Sequence, residues 1–302
     1  AHGSPVPLLL ARVLPGTTDA LTVVGALCAG GLVHGCWERL VRAQVPAWLT
    51  ALLLLGLGGA PVLWFSAIED VAGFMGLACF AVAVGGALDF MFSRRTSGGY
   101  AAGVSLALAV LCDPAALVYV ASLLAAAPFV VWQRFRQEPC SVRSTVAVLA
   151  FPTAALLAAW VFLEWRFTGA VWHPIPLAPG ALQLPHGAVS ALSRSAARVG
   201  WELVCCPVFA LSALVVLRRR SPSVLAFLAI PVGLVAAPLL GVHASPAQEL
   251  VLLDLVGLLA VPTRPRRLVA ALYAATVPAG ILLPLAVFGT SGLQGFLHGV
   301  GL

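Results

Sequence analysis

The sequence predicts an all-α protein, a polytopic transmembrane helical bundle of about nine to ten spans with an outward loop that carries a short interfacial helix. Three observations carry this expectation. Of 302 residues, 61% are hydrophobic and only 9% charged, with a mean hydropathy of +1.02, whereas a soluble domain dresses its surface with roughly a quarter charged residues. The apolar residues gather into runs long enough to cross a bilayer. The basic residues are seventeen arginines and no lysine, and they concentrate in alternate gaps between those runs.

A hydrocarbon core about 30 Å thick takes roughly 17–25 helical residues to cross. Nine runs qualify as candidates, at about 20–37, 47–67, 71–92, 99–112, 115–132, 145–163, 200–217, 223–240 and 268–289. A tenth, at about 247–262, holds Glu249 and Asp254; counting it keeps the alternation even. Asp19, after Thr17 and Thr18, suits the N-cap of the first run. Glu69 and Asp70 form a tight turn before Val71, where a carboxylate favours the positive end of the helix that follows. Asp113-Pro114 has the same character, a capping acid with proline at the first helical position. No linker, repeat or charge block divides the chain, so residues 1–302 read as one transmembrane domain.

The longest interval without a convincing span is 164–200, rich in proline and aromatics. Its part at about 187–198 reads as a short helix with Arg194 and Arg198 four residues apart on one face, lying along the outer membrane surface. Trp165, Trp172 and Trp201 suit that interface.

With residues 1–18 outside, the inside gaps hold Arg39, Arg42, Arg94, Arg95, Arg134, Arg136, Arg143, Arg218, Arg219, Arg220, Arg264, Arg266 and Arg267, against Arg12, Arg166, Arg194 and Arg198 outside. Cytoplasmic loops carry the arginine excess, so the layout is that of a bacterial cytoplasmic (inner) membrane protein of the cell envelope. The net charge of +6 is then a topogenic signal, and no nucleic-acid partner is needed to explain it. Asp19, Glu69, Asp70, Asp113, Glu164, Glu202 and Glu249 fall at or near outward ends. Carboxylates carry little topogenic weight, so this concentration marks a working face outside.

Cys28, Cys36, Cys79, Cys112, Cys205 and Cys206 lie in or at the ends of apolar runs, where cysteine acts as a small hydrophobe; no CxxC or Cys/His spacing suggests zinc. The chain begins at Ala1 on the outer side. Either a signal segment has been removed or a first span lies upstream.

Residues 61–80, PVLWFSAIEDVAGFMGLACF, and 99–120, GYAAGVSLALAVLCDPAALVYV, carry a resemblance. So do His2-Gly3-Ser4-Pro5 through Leu10 and the stretch Trp165-Arg166-Phe167-Thr168-Gly169 with Trp172-His173-Pro174. Over about half the chain these segments resemble the GT-C superfamily of polyprenyl-phosphate-sugar membrane glycosyltransferases. They match a proline-led helix closing a first outward loop, a Ser-x-x-Glu turn in the second, a glycine-rich helix pair and an aromatic outward loop. The resemblance implies sugar transfer from a polyprenyl-phosphate donor at the outer face. It also implies an essential acid ahead of the proline-led helix, and no acid precedes Pro5. A fragment has left that base behind; a complete chain is an inactive relative, a scaffold that binds lipid or a partner protein.

An inverting sugar transfer needs a carboxylate to take the acceptor proton and a cation or divalent metal for the departing phosphate. Glu69 and Asp70 are the candidate catalytic acids. Arg166, Arg194 and Arg198, costly on the side that topology reserves for few arginines, are candidate phosphate ligands because guanidinium binds phosphate bidentately. His173 adds polarity to the same loop. A transporter would place acids at mid-span, and only Asp254 and Glu249 come close.

Overall fold

The computed structural model describes residues 5–13, 17–93, 96–134, 139–169, 188–218, 223–240 and 245–287. Among these residues the secondary structure is helical, joined by short turns and without a strand. In chain order they form α1 (Pro5–Val13), α2 (Thr17–Arg42), α3 (Ala47–Gly58), α4 (Pro61–Glu69), α5 (Val71–Ser93), α6 (Thr96–Cys112), α7 (Ala116–Arg134), α8 (Pro139–Thr168), α9 (Ala188–Cys205) and α10 (Pro207–Arg218). Then come α11 (Ser223–Ala236) with a 3₁₀ turn at Ala237–Leu240, α12 (Pro246–Leu259) and α13 (Arg267–Val287).

Each of the ten apolar runs contains helix. Among the described residues three helices are long and apolar enough to cross a membrane, Ala20–Arg42, Val142–Phe167 and Arg267–Pro284. The number rises to five if each of two bent pairs counts as one span. Two of the runs are bent at proline. Gly59, Ala60 and Pro61 break the second run into α3 and α4 at 45°, and Pro207 turns α10 by 92° from α9, because proline lacks the N–H that would continue the ladder. Among the described residues four further apolar stretches of 10–17 residues lie within α5, α6, α7 and α11. The chain is an integral membrane protein, and its lipid-facing surface is visible as exposed Val23, Leu27, Phe151, Phe162, Leu272 and Leu282 on the three long helices, an apolar display that water does not tolerate.

The core forms around α12. From Ala247 to Leu259 every residue except the half-buried Asp254 is buried, and α2, α4, α5, α9 and α10 all pack on it. A helix with apolar residues on every face belongs in such a place, and its polar Gln248 and Glu249 lie together in its first turn. Gly257 is what lets α10 approach: a Cβ there would meet the Phe209 backbone nitrogen at 2.7 Å and its Cα at 2.8 Å. Gly25 does the same for α2, since its Cβ would run into the Ala67 carbonyl of α4. Small residues at helix contacts are the usual device of membrane bundles. Ser212 ties the same region together, donating to the Gly257 carbonyl at 2.8 Å and sharing a 2.8 Å bond with the Tyr273 hydroxyl of α13.

Helix ends sort into two groups. At one end the turn after α2 meets the turn after α12, with Arg264 N–H donating to the Ala43 carbonyl at 3.2 Å and its guanidinium to Gln44; Arg39, Arg42, Arg266 and Arg267 lie in or beside those turns. At the other end lie the α4–α5 turn with Asp70, the α6–α7 turn with Asp113 and the start of α12. Exposed Trp37 and Trp48 belong to the arginine end, and exposed Trp165 and Trp201 sit on α8 and α9 towards the other, the positions that interfacial tryptophans take. The cysteines Cys36, Cys112, Cys205 and Cys206 are buried, and they and the half-buried Cys28 and Cys79 are free thiols.

Candidate functional site

The acidic end is assembled by the first turn of α12. Ser245 caps that helix, its hydroxyl accepting from the Gln248 N–H at 3.2 Å, with Pro246 in the first turn. This fixes Gln248 and Glu249 side by side, and each reaches a different neighbour.

Gln248 bridges two turns. Its Nε2 donates to Asp113 Oδ2 at 2.8 Å and to the Gly73 carbonyl at 3.4 Å. Asp113 Oδ1 accepts from the Ala115 N–H at 3.0 Å, and Asp70 Oδ1 accepts from the Gly73 N–H at 3.0 Å. Both aspartates therefore cap the helices that follow them. A Cβ on Gly73 would strike Asp70 Oδ2 and come within 2.9 Å of Gln248 Nε2, so glycine is needed for Asp70 and Gln248 to stand this close. A Cβ on Gly76 would lie 3.3 Å from the Tyr119 hydroxyl and 3.4 Å from Asp113 Cβ; buried Tyr119 packs edge-on against Phe80 with ring centroids 4.7 Å apart. The Asp113 carboxyl is raised above the ordinary aspartate value, first by burial and further by the charge of Asp70, against the bonds from Gln248 and Ala115 that lower it.

Glu249 reaches the other way. Its Oε1 lies 2.7 Å from Arg198 Nη2 of α9, while Arg198 Nε lies 3.7 Å from Glu202 Oε1. Both glutamate side chains are buried, at 1% and 5% exposure. The guanidinium thus pairs with Glu249 and stands beside the buried Glu202, so that a positive charge accompanies two acids in an apolar core.

Among the sequence-predicted residues, Asp70 and Arg198 belong to these two clusters. Glu69 is exposed at the last position of α4. Arg166 is exposed in the last turn of α8, which runs on to Thr168, past the predicted start of the loop. Arg194 is exposed and donates to the Ser190 carbonyl at 3.2 Å. His173 and Trp172 lie outside the described residues. The helix expected at 187–198 extends to Cys205 and is more than a surface element: Ser195, Val199 and Glu202 are buried, and Ser195 donates to the Leu234 carbonyl at 3.3 Å. Its right angle to α10 fits a helix lying across the end of the bundle.

Gln248, Asp113 and the Arg198–Glu249 contact are what sequence reasoning missed as a group. The acids were visible as outward charges, but glutamine carries no charge pattern. Asp254, the mid-helix acid, lines a small cavity of about 20 Å³ with Leu53, Gly56, Thr276 and Gly280. Among the described residues no three His, Cys, Asp or Glu side chains group to hold a metal ion; Asp70 and Asp113 together offer two carboxylates. No family model, curated protein or solved structure matches this chain.

Proposed function

We propose that this chain is a membrane-embedded glycosyltransferase-like protein whose acidic end faces outward and transfers a sugar from a polyprenyl-phosphate donor. One observation carries the reading. Asp70 and Asp113, from turns 43 positions apart, meet through Gln248 at a single end of the bundle, where a membrane-anchored donor presents its phosphate. In the transfer, the acceptor oxygen bonds to the anomeric carbon as the carbon–oxygen bond to phosphate breaks. A carboxylate takes the acceptor proton and the polyprenyl phosphate leaves with the bonding pair. Asp113, whose proton affinity burial has raised, suits the base better than exposed Glu69, because a base works best with its pKa nearer the working pH. Exposed Arg166 and Arg194 suit the leaving phosphate; Arg198 is engaged by two glutamates.

A second reading has support of its own. Asp70 and Asp113 both cap helices and Arg198 is neutralised internally, as in a non-enzymatic membrane subunit that binds lipid or a partner chain. Incubating the purified protein with polyprenyl-phosphate sugars and following release of polyprenyl phosphate separates the two. The enzyme reading expects release with at least one such donor; a folded, lipid-binding protein that releases none from any donor supports the scaffold.

Orientation is testable separately. In a background without the native cysteines, Glu69→Cys is expected to react with an impermeant maleimide from outside and Arg266→Cys only after the cytoplasmic side is opened. The reverse pattern would overturn the outward assignment of the acidic end.

A further inference from the structure

Asp254 stands at the middle of α12, about 12 Å along the axis from Pro246 at 1.5 Å per residue, and takes no part in either cluster at the acidic end. With Thr276, Leu53 and Gly56 it lines a cavity of about 20 Å³ between α12, α3 and α13. Its Oδ1 is buried without a hydrogen-bond partner. The donor that does reach the carboxyl is the thiol of Cys206, a weak one that also lies 3.6 Å from the Leu250 carbonyl. A carboxylate left charged in such surroundings is among the costliest groups a membrane helix holds. An arginine, a metal cation or a proton has to cancel the charge.

No arginine is placed to do so. The titratable groups that face Asp254 are the thiols of Cys205 and Cys206. Helix α3 has no titratable residue. On α10 and α13 the charged residues are Arg218 and Arg267, each about 14 Å or more along its helix from the cavity residues Val208 and Thr276, and the Tyr273 hydroxyl is bonded to Ser212. Arg198 of α9 pairs with Glu249 and stands beside Glu202. Leu255 and Leu259 face α2, and the cavity they line with Glu38, Arg39 and Arg42 does not include Asp254. Helix α4 ends on Glu69 and α5 begins beside Asp70, both at the acidic end, while Cys79 of α5 bonds to Cys112 of α6.

A metal cation fits no better. A hard cation takes about six oxygen ligands, whereas Asp254 and Thr276 alone among the cavity's lining residues bring a side-chain oxygen. The volume suits about one water, which takes roughly 10–15 Å³ on this measure, and is too small for a hydrated ion. A proton remains. We infer that Asp254 is a proton-binding site inside the membrane, occupied at neutral pH, with the acid hydrogen donated into the cavity beside Thr276. Ionisable residues within membrane helices mark proton and ion pathways, and this site is independent of any sugar transfer at the acidic end.

Infrared spectroscopy of the protein in lipid reads the protonated carboxyl through its C=O stretch, and the difference between wild type and Asp254→Asn separates this residue from Glu202 and the other acids. The wild type is expected to show an acid band at pH 7 that the variant lacks. The band at pH 7 should keep about half or more of its pH 5 amplitude, because an ordinary aspartate, with a pKa of about 3.9, would lose roughly a hundredfold over that interval. Asp254→Glu should retain a band at a shifted frequency and serves if the asparagine variant fails to fold. A carboxylate signal in place of the acid band at pH 7 would overturn the proposal. Loss of the band when sodium chloride replaces choline chloride at constant pH would overturn it too, in favour of a cation site.

Discussion

Arg198→Leu is expected to lower the stability of the protein by about 3 kcal/mol in detergent, read from thermal or denaturant unfolding. The loss comes from what the substitution leaves behind. Glu249 and Glu202 are 1% and 5% exposed, and without the guanidinium they are acids in an apolar core with neither a counter-charge nor access to bulk water. Removing one partner of a buried pair costs roughly 3–5 kcal/mol, and the low end applies because Arg198 itself is 34% exposed. The triple change Arg198→Leu, Glu202→Leu, Glu249→Leu should recover most of the loss, since apolar residues of similar volume replace buried ion pairs at little cost. An Arg198→Leu protein as stable as the parent would mean that the glutamates are neutral or hydrated and that the contact organises nothing.

If the acidic end performs sugar transfer, Asp113→Asn is expected to cut the rate by 10²–10⁴-fold, the usual consequence of losing a general base. Asp70→Asn should cut it less, and Glu69→Gln least. The pH profile gives an independent sign. A base acts once deprotonated, so the acid limb of the profile should lie above the ordinary aspartate value, the rate falling as pH drops through the raised pKa of Asp113. Stability runs the opposite way. A carboxyl whose folded pKa is raised above its unfolded value favours the fold most when protonated, and this contribution is lost as pH rises from about 3.9 through the folded value. In Asp113→Asn that slope should vanish, with about 1 kcal/mol lost from the weakened cap. A variant that loses the slope and the cap but keeps full transfer would restrict Asp113 to structure.

The apolar runs, the capping aspartates and the Arg198–Glu202 pair were legible because each is a local signal. Hydropathy over a window finds helices, an acid before a helix start reads as a cap, and i,i+4 partners face each other. Windows average over breakers, however, so the 45° and 92° bends at Pro61 and Pro207 were absorbed into single runs. The strongest contact of the acidic end joins Arg198 to Glu249, 51 residues away, and nothing in spacing foretells it. Gln248 was invisible for a different reason: its importance lies in two hydrogen bonds to other turns, and an isolated glutamine has no pattern to read.

The enclosure of α12 bears on how the protein is made. Its 14 residues reach about 21 Å at 1.5 Å each, short of a bilayer core of about 30 Å, and they carry Glu249 and Asp254. Such a segment is a poor substrate for insertion by itself, because an acid near the centre of a helix costs roughly 2.5–3.5 kcal/mol on leaving the translocation channel. The arginine that neutralises Glu249 emerges from the ribosome earlier, on α9. Insertion of α12 is therefore expected to depend on the helices made before it, α2, α4, α5, α9 and α10, which pack around it, and nascent chains lacking α9 should stall with α12 outside the membrane.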